Sequence, residues 1–156
     1  MKSSIHGYGG VATRSYKAGD IVCFGDGVLY RPDDDFDDTY SLILQPEDTH
    51  GHGVLFWDLV DQTRWFNHSC EPNTEVLGDY DPARGATIGV RAWWVALRDI
   101  AAGEEITYDY GFAAEVAEPC GCGSAACRGV IVEDDADELA KLAEPMRQLL
   151  KIRRAS

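Results

Sequence analysis

The chain has 156 residues, enough for one domain with a hydrophobic core and too few to expect two. Its 45% hydrophobic and 26% charged residues are ordinary for a soluble globular protein. The formal net charge of −13 disfavours a general nucleic-acid or anionic-membrane binder, and it suits either a basic protein partner or solubility alone.

The predicted elements are mostly β-strands. Glycines divide the N-terminal part into short pieces, among which residues 20–30 (DIVCFGDGVLY) favour a strand. Further strands are predicted over residues 39–45, 53–60 and 86–100, with turn-rich segments (PEDTHGHG and GDYDPARG) between them. Residues 134–152 carry the one helical pattern, which Pro145 kinks or interrupts. The sequence therefore predicts a mainly β domain with short helices, of the α+β class, and a C-terminal helix.

Two sequence features bear on location. No apolar run approaches the ~20 residues of a membrane span. The N-terminal MKSSIHGYGG lacks the apolar stretch of a signal peptide. We therefore expect an intracellular protein with no membrane partner.

Three cysteines lie close together in the pattern Cys120-x-Cys122-x4-Cys127. Cysteines one residue apart rarely bond to each other, because the ring would be strained. They can share a tetrahedral zinc ion. Three thiolates supply only three of its four ligands, so a fourth must come from elsewhere in the chain. Cys70, in a polar turn, is a better fourth ligand than Cys23, which lies in an apolar run. We predict a zinc site with four cysteine ligands; reduced or disulfide-bonded cysteines are the alternative.

Residues 5–13 (IHGYGGVAT) formally match the dinucleotide-binding fingerprint G-x-G-x-x-A. That fingerprint requires a strand before it and a helix after it. Only a few residues precede Gly7, and the following TRSYKAGD breaks a helix, so we reject this interpretation. The segment is better interpreted as a glycine loop whose backbone a ligand can approach.

Four stretches, taken in order, resemble the SET-domain protein lysine methyltransferases over residues 2–130. They are the glycine loop, RWFNHSCEPN (64–73), GEEITYDYGF (103–112) and CGCGSAACRGV (120–130). The second and third are similar to the two signature motifs of that family, and the fourth to its post-SET zinc segment. The resemblance implies the SET fold, with small, mostly antiparallel sheets around a C-terminal pseudoknot. It divides the chain into a SET domain (1–115), a zinc-binding post-SET segment (116–132) and a C-terminal helical extension (133–156).

The resemblance also implies the cofactor S-adenosyl-L-methionine. In the family the glycine loop contacts it largely through the backbone, and residues of the NHS motif hold its polar groups. Carried over to this chain, the cofactor-binding residues are His6, Gly7, Tyr8, Gly9, Tyr40, Arg64, Asn67, His68 and Gly121. Tyr40 corresponds to an aromatic residue that lines the site, and Gly121 to a position near the adenine.

Tyr108 and Tyr110 share one face if they lie on a strand, which an ordinary strand edge would also explain. By resemblance, Tyr110 is the central catalytic residue, whose hydroxyl orients the methyl group and the lysine amine. The hydroxyl of Tyr108 would hold a water against the amine and leave less room for a methylated lysine. We therefore expect mainly monomethylation of lysine in a histone tail or another basic peptide.

Two alternatives remain at this stage: a catalytically idle SET module that binds a peptide or partner protein, and a small structural zinc domain. The acidic loop 33–38 is either a solvated surface or an attraction for basic tails. We expect no direct nucleic-acid contact, and a monomer or a homodimer. The implied location is the nucleus, at chromatin, in a eukaryote and the cytoplasm in a prokaryote.

One position departs from the family pattern. Many members carry a strand whose tyrosine lines the lysine channel, and here Gly25 stands at that point. Phe24 and Tyr30 are the candidates to replace it, and the sequence does not decide between them. The cysteine-rich segment that precedes the glycine loop in some members has no counterpart before Gly7.

Overall fold

The computed structural model describes residues 1–84 and 90–151. The strands are β1 (Ile21–Gly25), β2 (Gly27–Tyr30), β3 (Ser41–Leu44), β4 (Leu55–Leu59), β5 (Asn67–His68), β6 (Thr74–Tyr80), β7 (Val90–Ala96), β8 (Thr107–Tyr108), β9 (Glu118–Pro119) and β10 (Val130–Ile131). The α-helices are α1 (Ala136–Lys141) and α2 (Glu144–Leu149), and 3₁₀ turns occupy Gln62–Trp65, Pro82–Arg84 and Ala114–Val116. None of the helices in these ranges is long and apolar enough to cross a membrane.

Four small sheets make up the domain. Three are antiparallel, with strand orders β1-β7-β6, β2-β4-β3 and β10-β9. The fourth pairs β5 with β8 in parallel. The mainly β, α+β class and the mostly antiparallel sheets expected from the sequence are confirmed.

The predicted strands are present with shifted ends. The run 20–30 divides into β1 and β2, and residues 86–89 of the predicted strand 86–100 lie outside the described residues. The turn assigned to GDYDPARG is wrong at its start, because Gly78, Asp79 and Tyr80 continue β6. They pair with β7, and this long-range pairing overrides the local turn preference of Gly and Asp.

The C-terminal helix consists of two short helices rather than one. α1 ends before Leu142, and α2 begins afresh with Pro145 in its first turn, where the missing N–H leaves no helical hydrogen bond unmade. The last residue of the predicted helix, 152, lies outside the described residues. The apolar side of both helices packs on its own domain, against Ala114, Val130 and Val132.

The main core lies between the two three-stranded sheets. Alternate residues of β4 (Leu55, Trp57 and Leu59) are buried in it, as expected for a strand with one face inside. Trp94 of β7 is fully buried beside Phe66. Phe66 directly precedes β5, so the core anchors the segment that carries the NHS motif.

Candidate functional site

The pairing of β5 with β8 brings together two motifs that lie forty residues apart in sequence. Asn67 is the register partner of Thr107, and His68 that of Tyr108. Asn73 reinforces the pairing, because its Nδ2 donates to the Glu105 carbonyl oxygen at 2.7 Å and its Oδ1 accepts from the Thr107 N–H at 2.9 Å. These bonds place the NHS motif beside the two tyrosines.

Tyr110 lies half-buried against the NHS motif. Its hydroxyl donates to the carbonyl oxygen of Phe66 at 2.8 Å, and its backbone N–H donates to Nδ1 of His68 at 3.2 Å. Its ring lies 4.9 Å from the ring of Tyr108, centroid to centroid. Burial raises the pKa of Tyr110 to about 12, so the hydroxyl stays protonated at neutral pH. Burial, with a smaller contribution from Tyr110, raises the pKa of Tyr108 as well.

The glycine loop is tied to the same motif through Asn67. Nδ2 of Asn67 lies 3.1 Å from the carbonyl oxygen of His6, 3.0 Å from that of Tyr8 and 2.8 Å from Oε1 of Glu105. A Cβ at Gly9 would overlap the Glu105 carboxylate. A side chain at this position would require the Glu105 carboxylate to move, so glycine allows the loop to lie close to Glu105.

Arg64 and Tyr40 also come together. The Arg64 guanidinium lies 4.3 Å above the Tyr40 ring and 5.4 Å from the Trp65 ring, a cation–π arrangement. Nε of Arg64 is buried and has no hydrogen-bond partner among the described residues. A buried donor on a permanent cation favours an anionic partner such as a carboxylate.

Three of the five cysteines form a candidate metal centre. The side chains of His68, Cys70, Cys120 and Cys122 offer ligand atoms that all lie within 4.8 Å of one another. Although burial raises it, hydrogen bonds from Cys70 and Ser124 lower the pKa of Cys122 to about 6, which favours the thiolate that metals bind. Thiolate and imidazole ligands at this spacing are typical of zinc.

Cys127 lies beside this group rather than in it. Its Sγ is 3.7 Å from the carbonyl oxygen of Cys120 and accepts from the Gly129 N–H at 3.4 Å. His68 lies within the group, with Nε2 at 3.3 Å from Sγ of Cys70. Sequence reasoning assigned His68 to the cofactor alone, because its contact with Cys70 depends on how the chain turns between them.

Gly121, the remaining predicted cofactor residue, lies in the loop between two of these cysteines. A Cβ added there would meet no atom within 4 Å. The backbone at this position is therefore open to a ligand.

A cavity of about 630 Å³ opens beside the glycine loop. Its mostly apolar wall includes Tyr8 and Gly9, two predicted cofactor residues, together with Trp65 and Phe66. Cys23 also lines it, and burial raises the pKa of this thiol to about 12, as expected for a small hydrophobic side chain.

Neither candidate for the missing channel tyrosine packs beside the site tyrosines. Phe24 is 58% exposed and lies 6.5 Å from Trp93, whereas Tyr30 stacks on Phe36 at 4.2 Å. The space beside Gly25 holds the ring of Trp94 instead, since a Cβ at Gly25 would lie 2.7 Å from Cζ3 of that ring. Sequence reasoning missed this role of Trp94.

Comparison with protein families matches residues 7–111 to the SET domain. Histone-lysine N-methyltransferase TRX1 of Oryza sativa subsp. japonica is 35% identical over 150 residues, which cover 87% of this chain and 14% of the relative. Histone H3-lysine(4) N-trimethyltransferase ATX1 of Arabidopsis thaliana is 33% identical over 163 residues, covering 96% and 14%. This chain thus spans about one seventh of the length of these two relatives.

Among solved structures, KRYPTONITE in complex with mCHG DNA and SAH is similar, with a TM-score of 0.65 and 27% identity. KRYPTONITE with mCHH DNA, an H3(1-15) peptide and SAH gives a TM-score of 0.61 and 26% identity. Each match covers 83% of this chain and 28% of the other. The small antiparallel sheets described above therefore form the fold of these proteins.

Proposed function

The chain belongs to the SET domain family, and on that premise we propose that it transfers a methyl group from S-adenosylmethionine to the ε-amine of a protein lysine. One observation carries the proposal: the Tyr110 hydroxyl lies on the Phe66 carbonyl oxygen, directly beside Asn67 and His68. A protonated phenol is thus fixed where the glycine loop and the NHS motif meet.

The residues of the site fit the cofactor. The unpartnered Nε of Arg64 suits a carboxylate. Tyr8 and Gly9 of the glycine loop line the cavity of about 630 Å³, which gives a ligand access to the loop. Bound S-adenosylmethionine supplies a methyl group on a positively charged sulfur. We assign cofactor contacts to the nine residues named from the sequence, of which Asn67 also fixes the glycine loop through its two carbonyl bonds.

The chain's own contribution to transfer is geometry and desolvation. A lysine has a pKa of ~10.4 in water, so its amine must lose a proton before it can attack. The neighbouring rings of Tyr108, Tyr110 and Phe112 exclude water and disfavour the ammonium form. The Tyr110 hydroxyl donates to Phe66, and its oxygen lone pairs remain free to accept a hydrogen bond from the amine. The proton leaves to solvent before transfer.

Mainly monomethylation is the finer part of the proposal. Tyr108 is half-buried, and its hydroxyl stays protonated because burial raises its pKa, so it can hold a water against the amine. One relative is named an N-trimethyltransferase, which makes the product state the first property to measure.

We propose a histone tail or a similar basic peptide as the substrate and chromatin as the location. The relatives are named histone-lysine N-methyltransferases, and one KRYPTONITE structure contains an H3 peptide. The net charge of −13 favours basic partners and disfavours direct DNA binding, although the KRYPTONITE complexes contain DNA. The apolar side of α1 and α2 packs on its own domain, which favours a monomer.

We further propose that residues 116–132 form a zinc-stabilised post-SET segment and residues 133–156 a C-terminal extension, whose described helices pack on that segment. Cys70, Cys120 and Cys122 would hold the ion. We propose Cys127, whose Sγ lies 3.7 Å from the Cys120 carbonyl oxygen, as the fourth ligand, because Nδ1 of His68 already accepts from the Tyr110 N–H. Zinc would join the NHS motif to the segment around Gly121 and so close the cofactor site from one side.

The test is incubation of the chain with labelled S-adenosylmethionine and a panel of basic proteins, histone H3 included. Label on a lysine of one protein is the expected result. If S-adenosylhomocysteine raises the melting temperature but no label transfers, the chain is an idle SET module. If it does not raise the melting temperature either, the chain is a structural zinc domain; at 100 times Kd a bound ligand adds ~2.7 kcal/mol of stability.

A further inference from the structure

We infer that Arg128 is a positioning residue that connects the candidate metal centre to the two site tyrosines. Its side chain is 4% exposed, and Nη2 donates to Asp109 at 2.8 Å and to the Val132 carbonyl oxygen at 3.1 Å. Its backbone N–H donates to Sγ of Cys70 at 3.3 Å. The role rests on the proposed function above, within which nothing yet assigns Arg128 a task.

Asp109 is the point at which Arg128 reaches the tyrosines. It lies between Tyr108 and Tyr110 in the chain, so a contact that holds its carboxylate restrains the backbone segment that carries both tyrosines. The same carboxylate lies 3.5 Å from Nδ1 of His68, the atom that accepts from the Tyr110 N–H. Arg128 therefore sets the orientation of the strand end that carries the Tyr110 hydroxyl.

The backbone of Arg128 also contacts the C-terminal segment, just beyond α2. Its carbonyl oxygen accepts from the Lys151 N–H at 2.7 Å. The next residue, Gly129, has φ +82° and lies so close to the Leu149 carbonyl that a Cβ would overlap it. Arg128 thus contacts three parts of the fold: Cys70 of the candidate metal centre, the end of α2, and Asp109 just after β8.

The residue type follows from these contacts. A guanidinium presents several donors in a fixed plane and can hold a carboxylate and a carbonyl together, whereas a lysine ammonium is a compact point charge. The Arg128 guanidinium is 4% exposed, and burial of a charge without its partner is unfavourable, so Arg128 requires the Asp109 carboxylate. Their coupling transmits the position of the metal centre to Tyr110.

The experiment compares R128M, R128K and D109N with R91M as the control. R91M removes an exposed arginine of β7 that forms an ion pair with Asp79 of β6. We expect kcat for a lysine peptide to fall on the order of 10²-fold in R128M and less in R128K, as for a catalytic group displaced by about 1 Å. Zinc content and the melting temperature show which variants are folded. If R128M does not fold, R128K and D109N still test whether loss of the Arg128–Asp109 contact lowers kcat.

Amide hydrogen exchange gives a readout that needs no turnover. Loss of the Asp109 contact should speed exchange of the Tyr110 N–H in R128K and D109N, while the Trp94 amide in β7 exchanges as in wild type. Wild-type Tyr110 exchange in folded R128K and D109N would overturn the inference, and so would unchanged kcat where the wild type turns over. A wild type that transfers no methyl group contradicts the proposed function, and the exchange rates still decide the role of Arg128.

Discussion

The hydroxyl of Tyr110 donates a hydrogen bond to the backbone carbonyl oxygen of Phe66 across 2.8 Å. The two residues lie 44 positions apart in the chain, and the parallel pairing of β5 with β8 brings them together. Because the acceptor is a backbone atom, its position is set by the fold and not by the rotamer of another side chain. The phenol is therefore held in one orientation before any substrate arrives.

Replacing Tyr110 by Phe should abolish most activity and leave the fold intact. The variant keeps the ring and loses the hydroxyl that orients the amine, so we expect kcat to fall on the order of 10²-fold or more. Steady-state kinetics with a histone peptide measures the loss. Y30F is the matched control, since Tyr30 stacks on Phe36 away from the site and should retain wild-type kcat. Equal kcat in wild type and Y110F would contradict the role of Tyr110.

The motifs themselves could be found in the sequence, but their contacts could not. NHSCEPN and GEEITYDY are short, local patterns of residue types, so they can be identified in a single sequence. Glu105 and Arg128 act through Asn67 and Asp109, partners 38 and 19 positions away, and only the fold determines those distances.

The same limit explains the errors in element ends and the unforeseen contact of His68 with the cysteines. β6 extends through Gly78 because it pairs there with β7, and the local sequence does not predict that pairing. His68 reaches the cysteines because residues 68–70 turn back on themselves, which places Nε2 at 3.3 Å from Cys70. Local propensity predicted the strands' existence, and long-range pairing set where they end.

Replacing Tyr108 by Phe should shift the products toward dimethyl- and trimethyllysine. Without the hydroxyl, no water is held against the amine, and a methylated lysine gains room to turn its lone pair toward the methyl donor. Mass spectrometry of a peptide after exhaustive reaction reads the product ratio. Unchanged products in Y108F would remove Tyr108 from the account of specificity.

Zinc content should identify Cys127, rather than His68, as the fourth ligand. Nδ1 of His68 accepts the Tyr110 N–H, so the ring proton lies on Nε2, which then donates to Cys70. We expect C127S to lose zinc and H68N to keep it, both measured by elemental analysis of purified protein. C23S is the control, because Cys23 packs against the main core and is not part of the cysteine group. Retained zinc in C127S with loss in H68N would reverse the assignment.

The pH dependence of the rate should show no fall caused by Tyr110 up to about pH 10. Burial raises the pKa of Tyr110 to about 12, so its hydroxyl remains protonated throughout this range. The rate should instead rise from pH 7 as the substrate lysine, with a pKa of ~10.4 in water, loses its proton. Initial rates of folded protein between pH 7 and 10 test this. A descending limb below pH 10 that persists in Y108F would contradict the raised pKa of Tyr110.

Replacing Gly25 by Ala should destabilise the domain, because Trp94 already fills the space. The added Cβ would lie 2.7 Å from Cζ3 of Trp94 and 3.0 Å from Cδ2 of Leu59, and both side chains are buried. Overpacking of this kind costs about 1–3 kcal/mol, and a domain of this size loses about 2–4 °C of Tm for each kcal/mol. G121A is the matched control, since a Cβ there meets no atom within 4 Å. If the Trp94 ring is the cause, the G25A substitution should lower Tm less in a W94F background than in the wild type, because the smaller ring leaves room for the methyl group. A G25A domain as stable as wild type would show that the Trp94 ring does not fill this space.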